Sequence, residues 1–243
     1  MPKTQHLVVR DHGRPQHVAF CPGVRELAKA SRDGSGSSWS EPRGTEGRDL
    51  PVPGSVAAEG DAGVAPVQFR LQHHAQAFFQ ANRYLLATLA GRVVSLVPAG
   101  PVVDLYAGVG LFAASLAASG WTSVVAVEGD RAGAADLRAN ASPFGPALNP
   151  IEMAVEWYLA AHPVPAGSTI VVDPPRTGMS KDASAAIAAQ QAERVVYVSC
   201  DVATFARDAR KLIDAGYALA HLEAFDLFPN TAHVEAVAVF ARA

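Results

Sequence analysis

Cysteine, net positive charge and long apolar runs are all scarce in this sequence of 243 residues. Its two cysteines, Cys21 and Cys200, form no CxxC pair, so neither a disulfide framework nor a zinc or iron–sulfur site is expected, and the reducing cytoplasm is the predicted compartment. No run reaches the ~20 apolar residues that a membrane span needs, and the first residues lack the apolar core of a signal peptide. We therefore expect no metal, no cluster and no membrane partner.

The charge of the chain says little about its partners. The formal net charge is −3 at pH 7. A nucleic-acid partner would have to be held by a local basic patch, because the chain as a whole does not attract phosphate. Charge alone neither indicates nor excludes RNA.

The first 66 residues differ in composition from the rest. They contain 9 Gly and 7 Pro, and the stretch "SRDGSGSSWSEPRGTEGRDLPVPGS" has no periodicity that could bury an apolar face. We predict an irregular Gly/Pro-rich segment over residues 1–66, in which "HLVVR" and "HVAF" form at most a small hairpin. Residues 67–243, in a chain that is 49% hydrophobic, are predicted to form one large domain.

From residue 67 onward, strand and helix patterns alternate. "VQFRLQ" alternates as a strand does, and "AQAFFQANRYLLATLAGRVVSLV" recurs at helical spacing. The strand patterns "VVDLYA", "SVVAVEGD", "STIVVDPP" and "RVVYVSC" are each followed by a helical pattern, which predicts a mostly parallel, doubly wound α/β sheet. The last two strand patterns, "ALAHLEAFDLF" and "VEAVAVFAR", have no helix between them and should pair as an antiparallel hairpin at one edge. This Rossmann-like arrangement resembles the class I methyltransferase architecture.

The stretch "VVDLYAGVGLFA" has the pattern of a nucleotide-binding turn. It places Gly108 and Gly110 between a strand and a helix, where bare backbone lets a ligand approach closely. Glu128 lies 20 residues beyond Gly108, at the end of the next strand, where a carboxylate can accept both hydrogens of a ribose diol. The pattern fits either a dinucleotide or S-adenosylmethionine.

Two further carboxylates favour S-adenosylmethionine. Asp104 lies just before the glycines, where it can face the cationic amino-acid end of S-adenosylmethionine but would repel a pyrophosphate. Asp173, in "VVDPPRTG", ends a later strand beside the same crevice. The competing interpretations are a simple turn at "DPPR" and an NAD(P)-dependent oxidoreductase that uses the glycine turn.

Cys200 follows the apolar strand "RVVYVS", at the rim where α/β sheets hold their chemistry. We expect Asp173 and Cys200 on neighbouring strands of one rim, as a nucleophile facing a cofactor. The alternative is a buried thiol that acts as a small hydrophobic group. Near the C-terminus, "FDLFPNTAHVE" ends with His233, expected to orient the loop, and Glu235, whose carboxylate can serve as a general base.

Five motifs occur in the order and spacing of one enzyme family: "FFQAN", "DLYAGVGLF", "VVDPPRTG", "VYVSCDVAT" and "FDLFPNTAHVE". Over residues 67–243 the chain resembles the RNA uracil-C5 methyltransferases, which modify transfer or ribosomal RNA. The resemblance implies that Cys200 is the nucleophile and Glu235 the base. Family members that bind an iron–sulfur cluster use four cysteines, so no cluster is expected here. The implied pocket for S-adenosylmethionine is lined by Gln80, Tyr106, Glu128 and Asp173, to which the glycine turn adds Gly108.

The reaction of this family explains why such groups are needed. C5 of uracil is a poor nucleophile, so a thiolate first adds to C6 and pushes electron density onto C5. The activated C5 takes a methyl group from S-adenosylmethionine, and a base removes the C5 proton so that the thiol can leave. The implied function is an RNA (uracil-5-)-methyltransferase with its target base flipped out. A non-catalytic RNA-binding or scaffold protein derived from such an enzyme is the main alternative.

The chain departs from the family pattern at three positions and in length. Asp201 stands where Asn is usual, and its charge beside the thiol should disfavour the thiolate. Asn230 and Leu111 also replace the family's usual residues. Full-size members carry an N-terminal RNA-binding β-barrel and a complete central domain, of which we expect residues 1–66 to be a remnant. Either a smaller surface presents the RNA, with a partner protein in place of the barrel, or the chain comes from a degenerate or shortened gene. The sequence does not decide between transfer and ribosomal RNA.

Overall fold

The structure is a computed structural model that describes residues 3–9, 67–74, 82, 84–231 and 233–242. Its strands are β1 (Lys3–Val9), β2 (Val67–His73), β3 (Val102–Leu105), β4 (Val124–Glu128), β5 (Leu148–Glu152), β6 (Thr169–Val172), β7 (Arg194–Ser199), β8 (Tyr217–Phe225) and β9 (Glu235–Arg242). Its α-helices are α1 (Leu86–Leu96), α2 (Leu111–Ala118), α3 (Arg131–Ala141), α4 (Val155–Ala161), α5 (Lys181–Ala189) and α6 (Val202–Asp214), and a 3₁₀ helix covers Ser142–Ala147. None of these helices is long and apolar enough to cross a lipid bilayer.

Seven of the described strands form one sheet in the order β5-β4-β3-β6-β7-β9-β8. The strands from β5 to β7 in this order run parallel, and β9 pairs antiparallel with both β7 and β8. Along the chain, the sheet begins at β3, extends to β4 and β5 on one side, and then continues with β6 and β7 on the other side. This arrangement distributes the crossover helices over both faces. The predicted doubly wound α/β fold with an antiparallel C-terminal pair is confirmed, with β9 inserted between β7 and β8.

The central strands are buried on both faces, which explains their continuous apolar sequences. Successive residues of β3 belong to two different cores: Val102 packs with residues of α1, α2 and α3, whereas Val103 packs with residues of α4, α5 and α6. The same alternation in β7 assigns Val196 to the first core and Tyr197 to the second. The two helical layers thus fix the sheet and leave the carboxyl ends of its parallel strands at one rim.

β1 and β2 form a separate antiparallel pair, with Lys3 opposite His73 and Val9 opposite Val67. The sequence pattern predicts "HVAF" as the partner of β1, but β2 takes that place, and "HVAF" lies outside the described residues. Leu71 of β2 is buried in the core of α1 to α3, so β2 offers β1 an anchored edge. β1 therefore belongs to the same compact unit as residues 64–243, and the irregular character of the rest of residues 1–66 stays a prediction.

Two side chains of α3 hold the end of β2. The buried amide of Asn140 accepts a hydrogen bond from Gln72 N at 2.8 Å and donates to Gln72 O at 2.9 Å and to Val109 O at 2.8 Å. One turn earlier, Asp136 accepts a hydrogen bond from His74 N at 2.8 Å and also pairs with the Nδ1 of that ring. Asn140 thus connects β2 to the turn after β3 and satisfies backbone groups that burial would otherwise leave unpaired.

Replacing Asn140 with Ala should lower the free energy of unfolding by about 2–3 kcal/mol, because backbone groups of Gln72 and Val109 lose their partners. Chemical denaturation followed by circular dichroism measures this change. Asn149→Ala, at an exposed position of β5, is the matched control and should cost less than about 0.5 kcal/mol. Equal effects of the two substitutions would contradict the bracing role of Asn140.

Candidate active site

The carboxyl ends of the parallel strands enclose a cavity of about 680 Å³. This volume is typical of pockets that hold one small molecule. Six of the residues predicted from the sequence for cofactor binding and chemistry line it, whereas Asp104 and Gly110 do not, and Gln80 lies outside the described residues. The six are Tyr106, Gly108, Glu128, Asp173, Cys200 and Glu235.

Strand pairing explains how the reactive groups reach the same place. β6 and β7 are parallel neighbours, so Asp173 follows one strand and Cys200 follows the next at a single rim. β9 runs antiparallel to β7 with Ala236 opposite Ser199, so its first residue, Glu235, lies beside Cys200. The predicted placement of Asp173 and Cys200 on neighbouring strands is confirmed.

The turn after β3 leaves room for a ligand. Tyr106, Gly108 and Gly110 all have positive φ angles, of 60°, 55° and 92°, and in Tyr106 this is a strain that a bulky residue rarely accepts. A Cβ on Gly108 would meet no atom within 4 Å, so the space in front of its backbone is open. A Cβ on Gly110 would lie 2.7 Å from Leu137 Cδ1, the end of a side chain that can shift, so the φ of 92° is the main reason for glycine here.

Glu128 fixes the glycine turn as well as lining the cavity. Its Oε2 accepts a hydrogen bond from Gly108 N at 2.7 Å, and its Oε1 accepts one from Asp130 N at 2.6 Å. Each carboxylate oxygen has a second lone pair, so both can still accept hydrogen bonds from ribose hydroxyls. The sequence predicts the second role and gives no sign of the first.

Asp104 lies beneath the cavity and does not line it, which differs from the prediction that it faces the cofactor. Its side chain is fully buried, and its Oδ2 accepts a hydrogen bond at 3.0 Å from Ala113 N in the first turn of α2. Gly110, which precedes this helix, has no side chain for that purpose. Burial, with Asp173 and Glu128 nearby, raises the pKa of Asp104 well above its usual value. Its protonated form is therefore favoured, and it serves α2 rather than a cationic ligand.

Burial also controls the two groups predicted to be catalytic. Glu235 is fully buried, and neither of its carboxyl oxygens has a hydrogen-bond partner among the described residues. Burial, followed by repulsion from Asp173, raises the pKa of Glu235 to about 8. Burial raises the pKa of the Cys200 thiol as well, and the charge of Glu235 adds to this effect. Both groups are thus predominantly protonated at neutral pH.

Arg176 is a candidate site residue that sequence reasoning missed. It lines the same cavity as Cys200, and interaction with its guanidinium lowers the pKa of the Cys200 thiol. Its charge also lowers the pKa of Glu235. The sequence does contain a signal for this residue, because Arg176 is the cation that ends "DPPR", three residues after Asp173. The interpretation of "DPPR" as a simple turn assigns it no function.

Asp201 caps the helix that follows the thiol. Its Oδ1 accepts hydrogen bonds from Thr204 N at 2.8 Å and Thr204 Oγ1 at 2.9 Å, and these bonds lower its own pKa. The carboxylates that raise the pKa of Cys200 are Glu235 and Asp173. The N-terminus of α6 holds the carboxylate of Asp201, and the expectation that it disfavours the thiolate stays a prediction.

The other departures from the family pattern leave the cavity formed. Leu111 lines it, and Asn230 has a positive φ of 65° in a turn, a conformation that Asn accepts more readily than most residues. Phe228, just before that turn, also lines the cavity, and the His233 ring lies edge-on to it with centroids 6.2 Å apart. This contact agrees with the loop-orienting role expected of His233.

Known proteins share the motifs of this chain. The sequence profile described as tRNA (Uracil-5-)-methyltransferase matches residues 165–243. The chain is 37% identical over 207 residues to the 23S rRNA (uracil(1939)-C(5))-methyltransferase RlmD of Pseudomonas putida, which covers 80% of this chain and 44% of that protein. It is 34% identical over 166 residues to the tRNA (uracil(54)-C(5))-methyltransferase of Pyrococcus horikoshii, which covers 68% of this chain and 39% of that protein.

A solved structure agrees with these sequences. The Pyrococcus abyssi tRNA (uracil-54, C5)-methyltransferase in complex with S-adenosyl-L-homocysteine matches with a TM-score of 0.62 and 30% identity, over 70% of this chain and 42% of that one. The chain belongs to the RNA uracil-C5 methyltransferase family. It spans less than half the length of these family members. A putative RNA methyltransferase from Pyrococcus horikoshii shares the fold alone, with a TM-score of 0.52 and 15% identity, over 70% of this chain and 94% of that one.

In this family member, the buried carboxyl of Glu235 should make stability fall as pH rises. Below its usual pKa of 4.5 the group is protonated in both states, whereas above it the unfolded chain ionises while the folded chain keeps the proton until about pH 8. Replacing Glu235 with Gln should therefore stabilise the protein at pH 8, relative to pH 4.5, by a few kcal/mol. Urea unfolding at both pH values measures this difference.

The control for this experiment is Glu193→Gln, which neutralises an exposed carboxylate. Its effect on the free energy of unfolding should be small and should hardly change with pH. A Glu235→Gln protein whose advantage over the wild type is the same at pH 4.5 and pH 8 would show that the carboxyl ionises normally in the folded chain.

Proposed function

We propose that this chain transfers a methyl group from S-adenosylmethionine to C5 of a uridine in RNA. The observation that carries the proposal is the meeting of Cys200, Glu235 and Arg176 with the glycine turn in one cavity. A nucleophile, a proton acceptor and a nucleotide-sized recess in one place suit thiolate addition to a base beside a cofactor. The named activities of the relatives, which methylate uracil C5 in transfer RNA and in 23S ribosomal RNA, support this reaction class.

The residues present fit S-adenosylmethionine. The open space before Gly108 admits a ligand to the backbone, Glu128 retains lone pairs for ribose hydroxyls, and Asp173 follows a neighbouring strand. These carboxylates suit the ammonium and sulfonium charges of the ligand and would repel a pyrophosphate, which argues against NAD(P). When bound, the cofactor supplies an electrophilic methyl group. The P. abyssi relative in complex with S-adenosyl-L-homocysteine supports this choice. Gln80 and Tyr106 remain proposed contacts.

The proposed chemistry divides between Cys200 and Glu235. The Cys200 thiolate forms a bond to C6 of uracil, and the electrons of the C5–C6 double bond move onto C5, which becomes the nucleophile. Once C5 carries its methyl group, Glu235 accepts the C5 proton, the electron pair of the broken C–H bond restores the double bond, and the sulfur leaves C6 as a thiolate. Arg176 stabilises that thiolate before attack and after release.

The proposed steps require that Cys200 and Glu235 each lose a proton. The raised pKa values of Cys200 and Glu235 keep both protons in place at neutral pH. A positive charge in the cavity favours the ionised form of each group, and their titrations are coupled because each lies in the field of the other. Binding of a cationic ligand and activation of the nucleophile are therefore linked by electrostatics.

The target uridine has to enter the cavity as a flipped base, because a recess at the rim of a sheet admits one nucleotide and not a stacked strand. We assign methylation to residues 67–243. We further propose that RNA docking depends on a surface beyond the cavity, with a partner protein as one source, and that the reaction takes place in the cytoplasm. Transfer and ribosomal RNA both remain candidate substrates, since the relatives named above act on one or the other.

The cofactor assignment predicts that S-adenosylmethionine binds the purified chain and that NAD does not. Glu128→Ala should weaken this binding by about tenfold or more, because the ligand loses its ribose contacts and Gly108 loses its brace. Isothermal titration calorimetry measures both affinities. Glu152→Ala, which removes the carboxylate opposite Glu128 on β5, is the matched control and should bind normally. Tight NAD binding without any response to S-adenosylmethionine would refute the assignment.

The covalent mechanism predicts opposite behaviour of two variants. Cys200→Ala should bind cofactor normally but form no protein–RNA adduct, because no thiolate is left to add to C6. Glu235→Gln should accumulate an adduct that survives denaturing electrophoresis, because the methyl group transfers but the C5 proton stays. RNA containing 5-fluorouridine should trap the wild-type chain in the same way, since fluorine cannot leave as a cation.

The control for the trap is Cys21→Ser, which removes the other thiol and should leave the adduct unchanged. Production of 5-methyluridine by a wild-type chain that forms no adduct with fluorinated RNA would rule out the covalent route. Absence of both product and adduct, with cofactor binding intact, would favour a non-catalytic RNA-binding protein.

A further inference from the structure

The helix that follows Cys200 also binds the loop that follows Asp173. We call residues 176–179 the RTGM loop. Thr204 Oγ1 on α6 donates a hydrogen bond to the carbonyl of the first loop residue at 3.2 Å, and Arg207 Nη2 donates to the carbonyls of the second and fourth, each at 3.1 Å. The backbone of the loop is thus bonded to side chains of α6 along most of its length.

Asp208 is the centre of this contact. Its carboxylate is fully buried and accepts hydrogen bonds from Met179 N at 2.8 Å, Tyr197 Oη at 3.0 Å and Arg207 Nε at 3.0 Å. Although burial raises the pKa of Asp208, these bonds and the Arg207 charge outweigh it and lower the pKa below its usual value. A buried carboxylate therefore joins the RTGM loop, the strand β7 and the helix α6.

Gly178 shows how closely the RTGM loop packs against Arg207 and Asp208. Its φ is +73°, and a Cβ built on it would clash with Arg207 Nη2 and lie 2.7 Å from Asp208 Oδ2. A larger residue at this position would have to displace the ends of these two side chains, and the positive φ would strain it as well. The position of the loop backbone is consequently set by the two side chains of α6.

We propose that Asp208 and Arg207 are a positioning pair, which holds the RTGM loop against α6 so that Arg176 lies in the cavity with Cys200. Neither member of the pair lines the cavity, so both act through Arg176. Cys200 lies between β7 and α6, and Arg176 begins the loop that the pair binds to α6. The inference rests on the proposed role of Cys200 as nucleophile.

A positioning role and a purely electrostatic role of Asp208 predict opposite shifts in the pKa of the Cys200 thiol. Loss of the Asp208 charge by itself would favour the thiolate, since a nearby negative charge disfavours it, and would move the titration of Cys200 to lower pH. Loss of the hold on the loop moves Arg176, which lowers the pKa of the thiol, away from Cys200 and shifts the titration to higher pH. The direction of the change therefore separates the two explanations.

The experiment measures the rate of alkylation of Cys200 by iodoacetamide against pH. It uses the full chain with Cys21→Ser, which leaves Cys200 as the one thiol. Asp208→Asn should move the midpoint to higher pH and slow alkylation at neutral pH by about three- to tenfold, which corresponds to a rise of about half to one pKa unit. RNA takes no part, so docking does not affect the result.

Gly178→Ala provides a second test that leaves every charge in place. Its methyl group displaces either the loop or the ends of the Arg207 and Asp208 side chains, and since both outcomes disturb the hold, the midpoint should move in the same direction. Asp214→Asn is the matched control on the same helix, because that carboxylate pairs with Arg210 at the surface. It should leave the profile unchanged. Circular dichroism identifies the variants that fold, and if Asp208→Asn does not, Gly178→Ala decides the matter.

An unchanged midpoint, or one moved to lower pH, in the folded variants overturns the positioning role and leaves the proposed function untouched. A wild-type Cys200 that resists alkylation at every pH overturns both, since the proposed nucleophile would then be inaccessible. A shift to higher pH in both variants, with the control unmoved, supports the positioning pair.

Discussion

The antiparallel register of β9 on β7 determines which groups share the cavity. With Ala236 opposite Ser199, the first residue of β9 lies beside Cys200, at the rim where the parallel strands also end. Because successive side chains of a strand point to opposite faces, a slip of one residue would turn Glu235 away from the thiol. The carboxyl itself opposes burial without a hydrogen-bond partner. The apolar residues that follow it, Ala236–Phe240, are all buried and hold the register.

The charges around the cavity are unbalanced in a way that suits a cationic ligand. Glu128, Asp130, Asp173 and Glu235 supply four carboxyl groups, and Arg176 is the one cation among the described lining residues. Of these groups, Asp173 raises the pKa of Glu235 beyond the effect of burial alone, and Arg176 opposes it. The same excess attracts a positively charged donor and repels a pyrophosphate. Selection of the ligand and control of the reactive protons are therefore one electrostatic property of this rim.

Local patterns predicted the parts of the fold that depend on neighbouring residues: the strand–helix alternation, the rim and the ends of its strands. The partner of β1 was not predictable, because pairing with β2 is a long-range contact that neither strand encodes alone. Asp104 was misplaced, although alternation along β3 puts it on the same face as Val102, toward α2. The role of Glu235 was predicted from the family resemblance. The hydrophobic periodicity of the sequence does not show that an antiparallel strand brings this residue to Cys200.

Stability alone does not explain a buried carboxylate at Asp208, because apolar residues of similar volume commonly replace such groups without loss. Apolar contacts are non-directional, whereas the hydrogen bonds from Met179 N and Tyr197 Oη fix the orientation of the loop relative to β7. The effect of a guanidinium on a thiol falls with their separation, so Arg176 has to be held near Cys200 in the cavity to act on it. The polar network between the RTGM loop and α6 is therefore better explained by the chemistry of the cavity than by the requirements of the core.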